Sequence, residues 1–240
     1  MSTAPSPRIS IVIPVYNEAG ILRAAVEDLC GRLEPFGWPY ELILAENGST
    51  DRTVAIGREL AAERPEHVKI ISMGEPNYGR ALKEGILLAR GEIVVCEEID
   101  LCDTEFHRRA VEILETGEAD LVIGSKLLMG AEDERPLVRH AASVAYSGML
   151  RVLLGFRGTD THGLKAFRRS ALLDVVTACL VEKDVFASEF VIRADRGGVR
   201  TREIPVRIKE KRPPSINLWK RVPSVLKSVL KLTYAIRVRG

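Results

Sequence analysis

The sequence predicts an α/β fold: a mostly parallel sheet flanked by helices, with a basic amphipathic helix at the end of the chain. Three observations carry that expectation. Short apolar, β-branched runs alternate with helical stretches from Ile9 to Gly124. Three of those runs pass straight into polar loops, Pro14–Glu18, Glu46–Asp51 and Glu97–Asp103, and an open parallel sheet binds its ligands where strands end. The last stretch, Leu218–Arg237, sorts apolar and basic residues onto opposite faces.

Ile9–Val15 reads as a buried first strand. Asn17-Glu18 opens a helical stretch, Ala19–Leu33, with Leu22, Val26 and Leu29 on one side. A Pro/Gly loop, Glu34–Pro39, leads to a second strand at Leu42–Ala45. Gly48 permits an unusual backbone angle, and Ser49 or Thr50 is placed to cap a helix reaching Ala62. Val68–Ser72 is a third strand, and Gly79–Ala89 a helix stopped by Gly91. Ile93–Cys96 is a short buried strand that runs into Glu97, Glu98, Asp100 and Asp103. A helix around Phe106–Leu114 and a strand at Leu121–Gly124 complete the alternation. Beyond them come a charged loop, Lys126–Pro136, a long helix, Leu137–Leu154, and polar turns, Gly155–Gly163. A strand at Leu164–Phe167 and helices at Ala171–Thr177 and Ala187–Asp195 follow. Val199–Ile208 is extended, and Lys209–Pro214 is a basic, Pro-broken linker.

Apolar residues make up 46% and charged residues 28% of the 240, ordinary for a globular chain of one large domain. The net charge of +2 hides an asymmetry. Residues 205–240 carry ten Lys/Arg and one Glu, leaving about −7 on the remainder. Cys30, Cys96, Cys102 and Cys179 are widely spaced without a CxxC pair, which argues against zinc and disulfide frameworks and fits a reducing cytosol. Met1–Pro7 has no apolar stretch of the kind a signal peptide carries, and no run reaches the ~18–20 apolar residues of a membrane span. Nucleic acid is a weak reading, because aromatic residues are few and no binding motif is present.

In the last helix Val222, Val225, Leu226, Val229, Thr233 and Ile236 share one face, with Lys220, Lys227 and Lys231 opposite. It either lies on an anionic membrane surface with Trp219 at its start, or docks on the domain and leaves a solvated basic face.

The chemistry follows from the three loops. Polar side chains in the first two can select a base and ribose. Carboxylates in the third can hold a hard divalent cation, which takes oxygen ligands and neutralises a diphosphate. Glu98 and Asp100 are the acids for that task; the competing reading of Glu97–Asp103 is a solvated acidic loop.

Here a resemblance becomes specific. Ile11-Val12-Ile13-Pro14-Val15-Tyr16-Asn17-Glu18 resembles the opening signature of the family 2 glycosyltransferases, whose GT-A fold is Rossmann-like. Glu46-Asn47-Gly48-Ser49-Thr50-Asp51 resembles their second nucleotide-binding motif, and Asn77–Gly85 the Gly-rich stretch before their metal-binding acids. Gly124-Ser125-Lys126 is similar to a Gly-Ser-Arg element. Asp160–Arg168, Glu189 and Arg202-Glu203-Ile204-Pro205-Val206 resemble the subgroup that glycosylates polyprenyl phosphates, the dolichyl-phosphate mannose or glucose synthases.

The resemblance implies a GT-A domain over residues 1–212 and a basic helical extension over 213–240. It implies that Pro14, Tyr16 and Glu18 line the nucleotide pocket and that Asp51 supports the same loop. Asn47 stands where many members have an Asp that meets the base. Glu98 and Asp100 match the two metal-binding acids, for Mg²⁺ or Mn²⁺. Lys126 and Arg139, and less directly Arg212, are candidates for holding diphosphate or acceptor phosphate. Cys102 occupies the position where the subgroup commonly has Gln as a further ligand, a poor match for magnesium that leaves Asp103 or water to complete the site.

Other residues stay open between two readings. His162 is a catalytic base or a structural turn residue, and Glu189 orients an active-site loop or pairs with Arg193. Glu97 is expected to face away from the site.

The expected activity is inverting transfer of a sugar, mannose from GDP-mannose before glucose from UDP-glucose, to a polyprenyl or dolichyl phosphate. The expected place is the inner face of the membrane, reached peripherally through residues 218–237. The alternatives are a soluble family 2 enzyme with a small hydroxyl acceptor, and a non-catalytic nucleotide-sugar-binding protein.

Overall fold

The computed structural model describes residues 6–134, 136–181, 183–208 and 218–238. Its elements in order are β1 (Ile9–Val15), α1 (Leu22–Leu33), β2 (Tyr40–Glu46), α2 (Thr53–Glu63), β3 (Val68–Ser72), α3 (Tyr78–Leu88), β4 (Ile93–Cys96) and α4 (Thr104–Glu115). They continue with β5 (Leu121–Ser125), β6 (Glu132–Asp133), α5 (Leu137–Leu154), β7 (Leu164–Arg168), α6 (Arg169–Ala178), α7 (Phe186–Arg196), β8 (Thr201–Pro205), β9 (Arg207–Ile208) and α8 (Leu218–Val238).

Seven strands form one sheet in the order β3-β2-β1-β4-β7-β5-β8, and β6 pairs with β9 apart from it. β1, β2, β3 and β4 are parallel neighbours, and β8 is parallel to β5. β7 alone runs antiparallel, between β4 and β5. All seven residues of β1 and of β2 are buried, as continuous apolar runs require when helices cover both faces of a sheet. One apolar layer packs α1, α2 and α4 on the sheet through Leu22, Leu60 and Phe106. The other packs α3, α5, α6, α7 and α8 through Ala81, Leu150, Leu172, Phe190 and Leu232.

Local chemistry sets the helix starts. Asn77 Oδ1 accepts from the Arg80 amide and Asp103 Oδ1 from the Phe106 amide, capping α3 and α4. The caps expected at Ser49 or Thr50 are not used. α2 begins at Thr53, whose amide and hydroxyl donate to Asp51 Oδ1. Ser49 Oγ instead accepts from the Asn17 amide in the first loop. Gly79 sits directly under the Lys183 carbonyl, where a Cβ would collide with backbone. Gly163 has the same constraint against the Gly124 carbonyl, so only glycine fits where β7 meets β5.

α8 docks on the domain by a face that keeps Val229 and Ile236 of the one read from the sequence but not Leu226. Val229, Leu232, Ala235 and Ile236 are buried, while Leu226 is 49% exposed. Arg193 Nη2 donates to the Ala235 carbonyl and Arg196 Nη1 to the Ile236 carbonyl, holding the last turn of α8 against α7. The buried strip is therefore turned part-way round the helix toward Leu232, and Leu230, Tyr234 and Val238 join Leu226 in an exposed i,i+4 row. No helix among the described residues is long and apolar enough to cross a membrane. Arg212 and the 209–214 linker lie outside the described residues.

Glu189 pairs with Arg193 and also holds a loop, one that does not line the cavity described below. Its buried carboxylate accepts from the Leu180 and Val181 amides and from Arg193 Nε at 2.8 Å. It thereby ties Leu180 and Val181 to α7, and Lys183 packs over Gly79. Glu189→Ala strands two amides and a guanidinium in the interior, and is expected to cost about 3–5 kcal/mol. Urea unfolding followed by circular dichroism measures it, and a cost below about 1 kcal/mol would refute this brace.

Candidate active site

β4 delivers the acidic loop to the carboxyl edge of the sheet. The first acid turns inward. The Glu97 carboxylate is fully buried against His107 Nε2 of α4 at 2.5 Å, and it accepts from the Glu98 amide at 3.3 Å and the Asp103 amide at 3.2 Å. The loop is thus wrapped round Glu97, and Glu98 is sent outward. Leu101 and Cys102 donate their amides to the Glu98 carbonyl, which tightens the turn carrying Asp100.

A cavity of about 390 Å³ opens there, lined by Glu98, Asp100, Lys126, Arg139, His162 and Lys165 with the apolar Leu82, Leu164 and Ile208. Glu98 is reached by water through the mouth, but the surrounding protein, and then the Asp100 carboxylate, push its pKa up to about 7. Tyr78 also lines the cavity, and enclosure together with Glu98 raises its phenol well above the ordinary value.

The opposite wall comes from β5, β7 and the turns between α5 and β7. Lys126 Nζ donates to Asp160 Oδ2 at 2.7 Å, and both residues are buried. Burial alone would raise the Asp160 carboxyl, but the Lys126 ammonium overcomes it and holds Asp160 below the usual carboxylate range. Asp160 is set in place by Glu203 of β8, which accepts from the Thr159 amide at 2.7 Å and the Asp160 amide at 3.4 Å. His162 stands at the end of a hydroxyl chain. Tyr146 Oη bonds Ser188 Oγ at 2.9 Å, Ser188 bonds Thr161 Oγ1 at 2.8 Å, and Thr161 reaches His162 Nδ1 at 3.3 Å. Arg139 enters from the first turn of α5.

Of the residues singled out from sequence, the cavity brings together Glu98, Asp100, Lys126, Arg139 and His162. Pro14, Tyr16, Glu18, Asn47 and Asp51 do not line it; Pro14 is the next-to-last residue of β1, and the others lie in the loops after β1 and β2. Those loops are laced together. The Glu18 amide donates to Thr53 Oγ1 at 2.7 Å, the Ala19 amide to Asp51 Oδ2 at 3.1 Å, and the Thr50 amide to Asn17 Oδ1 at 2.8 Å. Asn47 Oδ1 accepts from the Asn77 amide, which connects this ledge to Tyr78 and the cavity. Tyr16 is exposed on it.

Cys102 faces away from the cavity. It has φ +45°, is buried, and directs Sγ at the Ile99 carbonyl, 3.4 Å away. Asp103 is occupied as the cap of α4. Glu98 and Asp100 are hard oxygen donors that suit Mg²⁺ or Mn²⁺, and no third Asp, Glu, His or Cys joins them in a cluster among the described residues. The remaining coordination positions would fall to diphosphate oxygens and water.

Sequence reasoning missed the roles of Asp160, Glu203 and Lys165. A signal for Lys165 was present: it is the one charge between Leu164 and Phe167, in a run read as a buried strand.

A cation bound by Glu98 must displace the proton that Glu98 holds below about pH 7. Mn²⁺ affinity is therefore expected to rise with pH and to be roughly tenfold tighter at pH 8 than at pH 6. Titration calorimetry at both values checks this; equal affinities would remove Glu98 from the ligand set.

Comparison with known proteins agrees with this geometry. The family model described as glycosyl transferase family 2 matches residues 10–176. A glycosyltransferase of Haloferax volcanii, AglD, is 30% identical over 99% of this chain and 39% of its own length. The dolichyl-phosphate beta-glucosyltransferase of Saccharomyces cerevisiae is 28% identical over 82% of this chain and 66% of its own. The chain thus spans between about two fifths and two thirds of the length of these relatives. Among solved structures, glucosyl-3-phosphoglycerate synthase from Mycobacterium tuberculosis superposes with a TM-score of 0.66 at 22% identity, over 95% of this chain and 80% of that one, which establishes the shared fold. With the motifs in order, the GT-A arrangement of the sheet and a family model spanning most of the domain, the chain belongs to glycosyl transferase family 2.

Proposed function

We propose that this chain transfers a hexose from a nucleoside diphosphate sugar to a polyprenyl phosphate, with inversion, at the inner membrane face. The observation that carries the reading is a single cavity holding two adjacent acids, Glu98 and Asp100, opposite Lys126, Arg139 and Lys165. Acids on one wall suit a divalent cation and cations on the other suit phosphate. The yeast relative supports glucose and a dolichyl phosphate acceptor; the preference for GDP-mannose gains no such support, so UDP-glucose is the first donor to test.

Glu98 and Asp100 would hold Mg²⁺ or Mn²⁺, which supplies positive charge to the departing diphosphate. The loops bearing Pro14, Tyr16, Glu18, Asn47 and Asp51 would receive the nucleoside. Arg139 would orient the phosphates, with Lys126 fixed on the cavity wall by Asp160. An acceptor phosphate oxygen attacks the anomeric carbon, the bond from that carbon to the diphosphate oxygen breaks, and its electron pair leaves with the nucleoside diphosphate. A phosphate acceptor is already ionised at neutral pH, so this step needs no base.

Membrane contact is supported by exposed apolar residues on two helices that touch each other. α5 presents Leu137, Val138, Val144 and Val152, and α8 presents Leu226, Leu230, Tyr234 and Val238 beside exposed Lys227, Lys231 and Arg237.

Two outcomes test this function. Asp100→Ala is expected to lower glucose transfer from UDP-glucose to a polyprenyl phosphate by at least about a hundredfold, measured by chromatography of labelled lipid. Retained turnover would sink the assignment of Asp100. Leu226→Glu combined with Leu230→Glu alters only exposed positions, so sedimentation with anionic vesicles should fall several-fold while nucleotide binding is kept. Unchanged sedimentation would exclude α8 from membrane contact.

A further inference from the structure

Lys165 is the unusual cation of the cavity. It lies in β7, in the middle of the sheet, and its partners across the two neighbouring strands are Cys96 and Ile123. Both belong to the apolar layer, as does Phe167 two residues along the same face. Lys165 is 3% exposed, yet it lines the cavity. Its Nζ donates to the Gly163 carbonyl at 2.7 Å, and among the described residues it forms no ion pair. Two of its three donors therefore have no protein acceptor.

A buried ammonium that forms no direct ion pair costs folding free energy, and burial lowers the Lys165 pKa even though the Asp160 and Glu98 carboxylates act in the opposite sense. Leucine or methionine at this position would extend the apolar row on either side. Lys126 differs. Its charge is already matched by Asp160 at 2.7 Å, so binding an anion there means competing with a buried carboxylate.

We propose that Lys165 is an anion-binding group of this cavity, the ammonium that receives a phosphate oxygen of the substrate while Lys126 stays committed to Asp160. The inference rests on the transfer reading above and adds to it the residue that meets the phosphate. The phosphate belongs either to the donor diphosphate or to the acceptor lipid, and both chemistries fit one ammonium donating charge-assisted hydrogen bonds. The position also explains why a charge is kept in an apolar strand: stability is given up locally for a ligand.

The test compares Lys165→Met with the wild-type chain in five measurements. Dissociation constants are taken by calorimetry for UDP and GDP, each with Mn²⁺, for farnesyl phosphate, and for Mn²⁺ alone; Tm is taken by calorimetric scanning. Lys165→Met should weaken the diphosphates, the monophosphate or both by about tenfold, the loss expected for one charge-assisted hydrogen bond. Mn²⁺ alone should bind at least as tightly, and Tm should rise by about 2–4 °C as the unpaired charge is removed. Weakening confined to UDP or GDP assigns the phosphate to the donor; weakening confined to farnesyl phosphate assigns it to the acceptor.

Changes below threefold with every probe overturn the inference, as does an equal loss of Mn²⁺ affinity, which would mean that the site has collapsed. Lys165→Gln, which keeps a polar terminus, is read by the same criteria if the methionine variant does not fold. A wild-type chain that binds none of the phosphates removes the transfer reading along with this one, whereas binding that survives the substitution removes this one alone.

Discussion

Strand β7 runs against both of its neighbours, and the site depends on that reversal. Because β4 and β5 point the same way, their carboxyl ends share one edge of the sheet. A third parallel strand between them would carry Leu164 to the far edge. Reversed, β7 begins at the shared edge, and the turns before it, with Asp160 and His162, arrive opposite Glu98 and Asp100. The pairing of Gly124 with Leu164 brings the Gly163 Cα so close to the Gly124 carbonyl that no Cβ is tolerated. Acids and cations that stand between 26 and 67 residues apart in the chain thereby face one cavity.

Around that edge, buried and half-buried carboxylates act as internal brackets. Glu97 gathers the Glu98 and Asp103 amides and His107. Glu189 gathers the Leu180 and Val181 amides, and Glu203 those of Thr159 and Asp160. Glu41 does the same at the other end of the sheet, accepting from Ser10 Oγ, Lys69 Nζ and the Arg90 amide. A loop amide in the interior needs an acceptor, and an ionised carboxylate is a strong one that can serve several donors. The cost is a buried charge, met in each case by a cation, an imidazole or more than one N–H donor.

Much of this was legible in the sequence. β1 and β4 lie where their apolar runs end, because a fully buried strand leaves an uninterrupted signal, and the edge strand β3 also matches its expected range. α5 matches its expected range, Leu137–Leu154, for a similar reason: Pro136 precedes it and Gly155 follows. Glu98, Asp100, Lys126 and Arg139 were found because short motifs carry the chemistry of their positions. What escaped was information held between segments. The direction of β7 is not written in Leu164–Phe167, and Glu203 reads as an ordinary strand residue until its partners 43 and 44 positions away are known. On α8 a strip containing Val229 and Ile236 was correct, but the choice between Leu226 and Leu232 was made by α5 and α7 rather than by helical periodicity.

The place of β7 in the sheet also has a kinetic side. β4 bonds to β1 and β7, and β5 to β7 and β8, so within the sheet nothing but β7 joins the β3-β2-β1-β4 block to the β5-β8 pair. The first block can assemble from neighbouring βα units as the chain emerges. The second cannot attach until residue 164 and beyond are available, and it then closes contacts across some 70 residues between Ile93 and Arg168. Long loops of this kind delay association. The two walls of the cavity are therefore brought together only when β7 pairs on both of its sides.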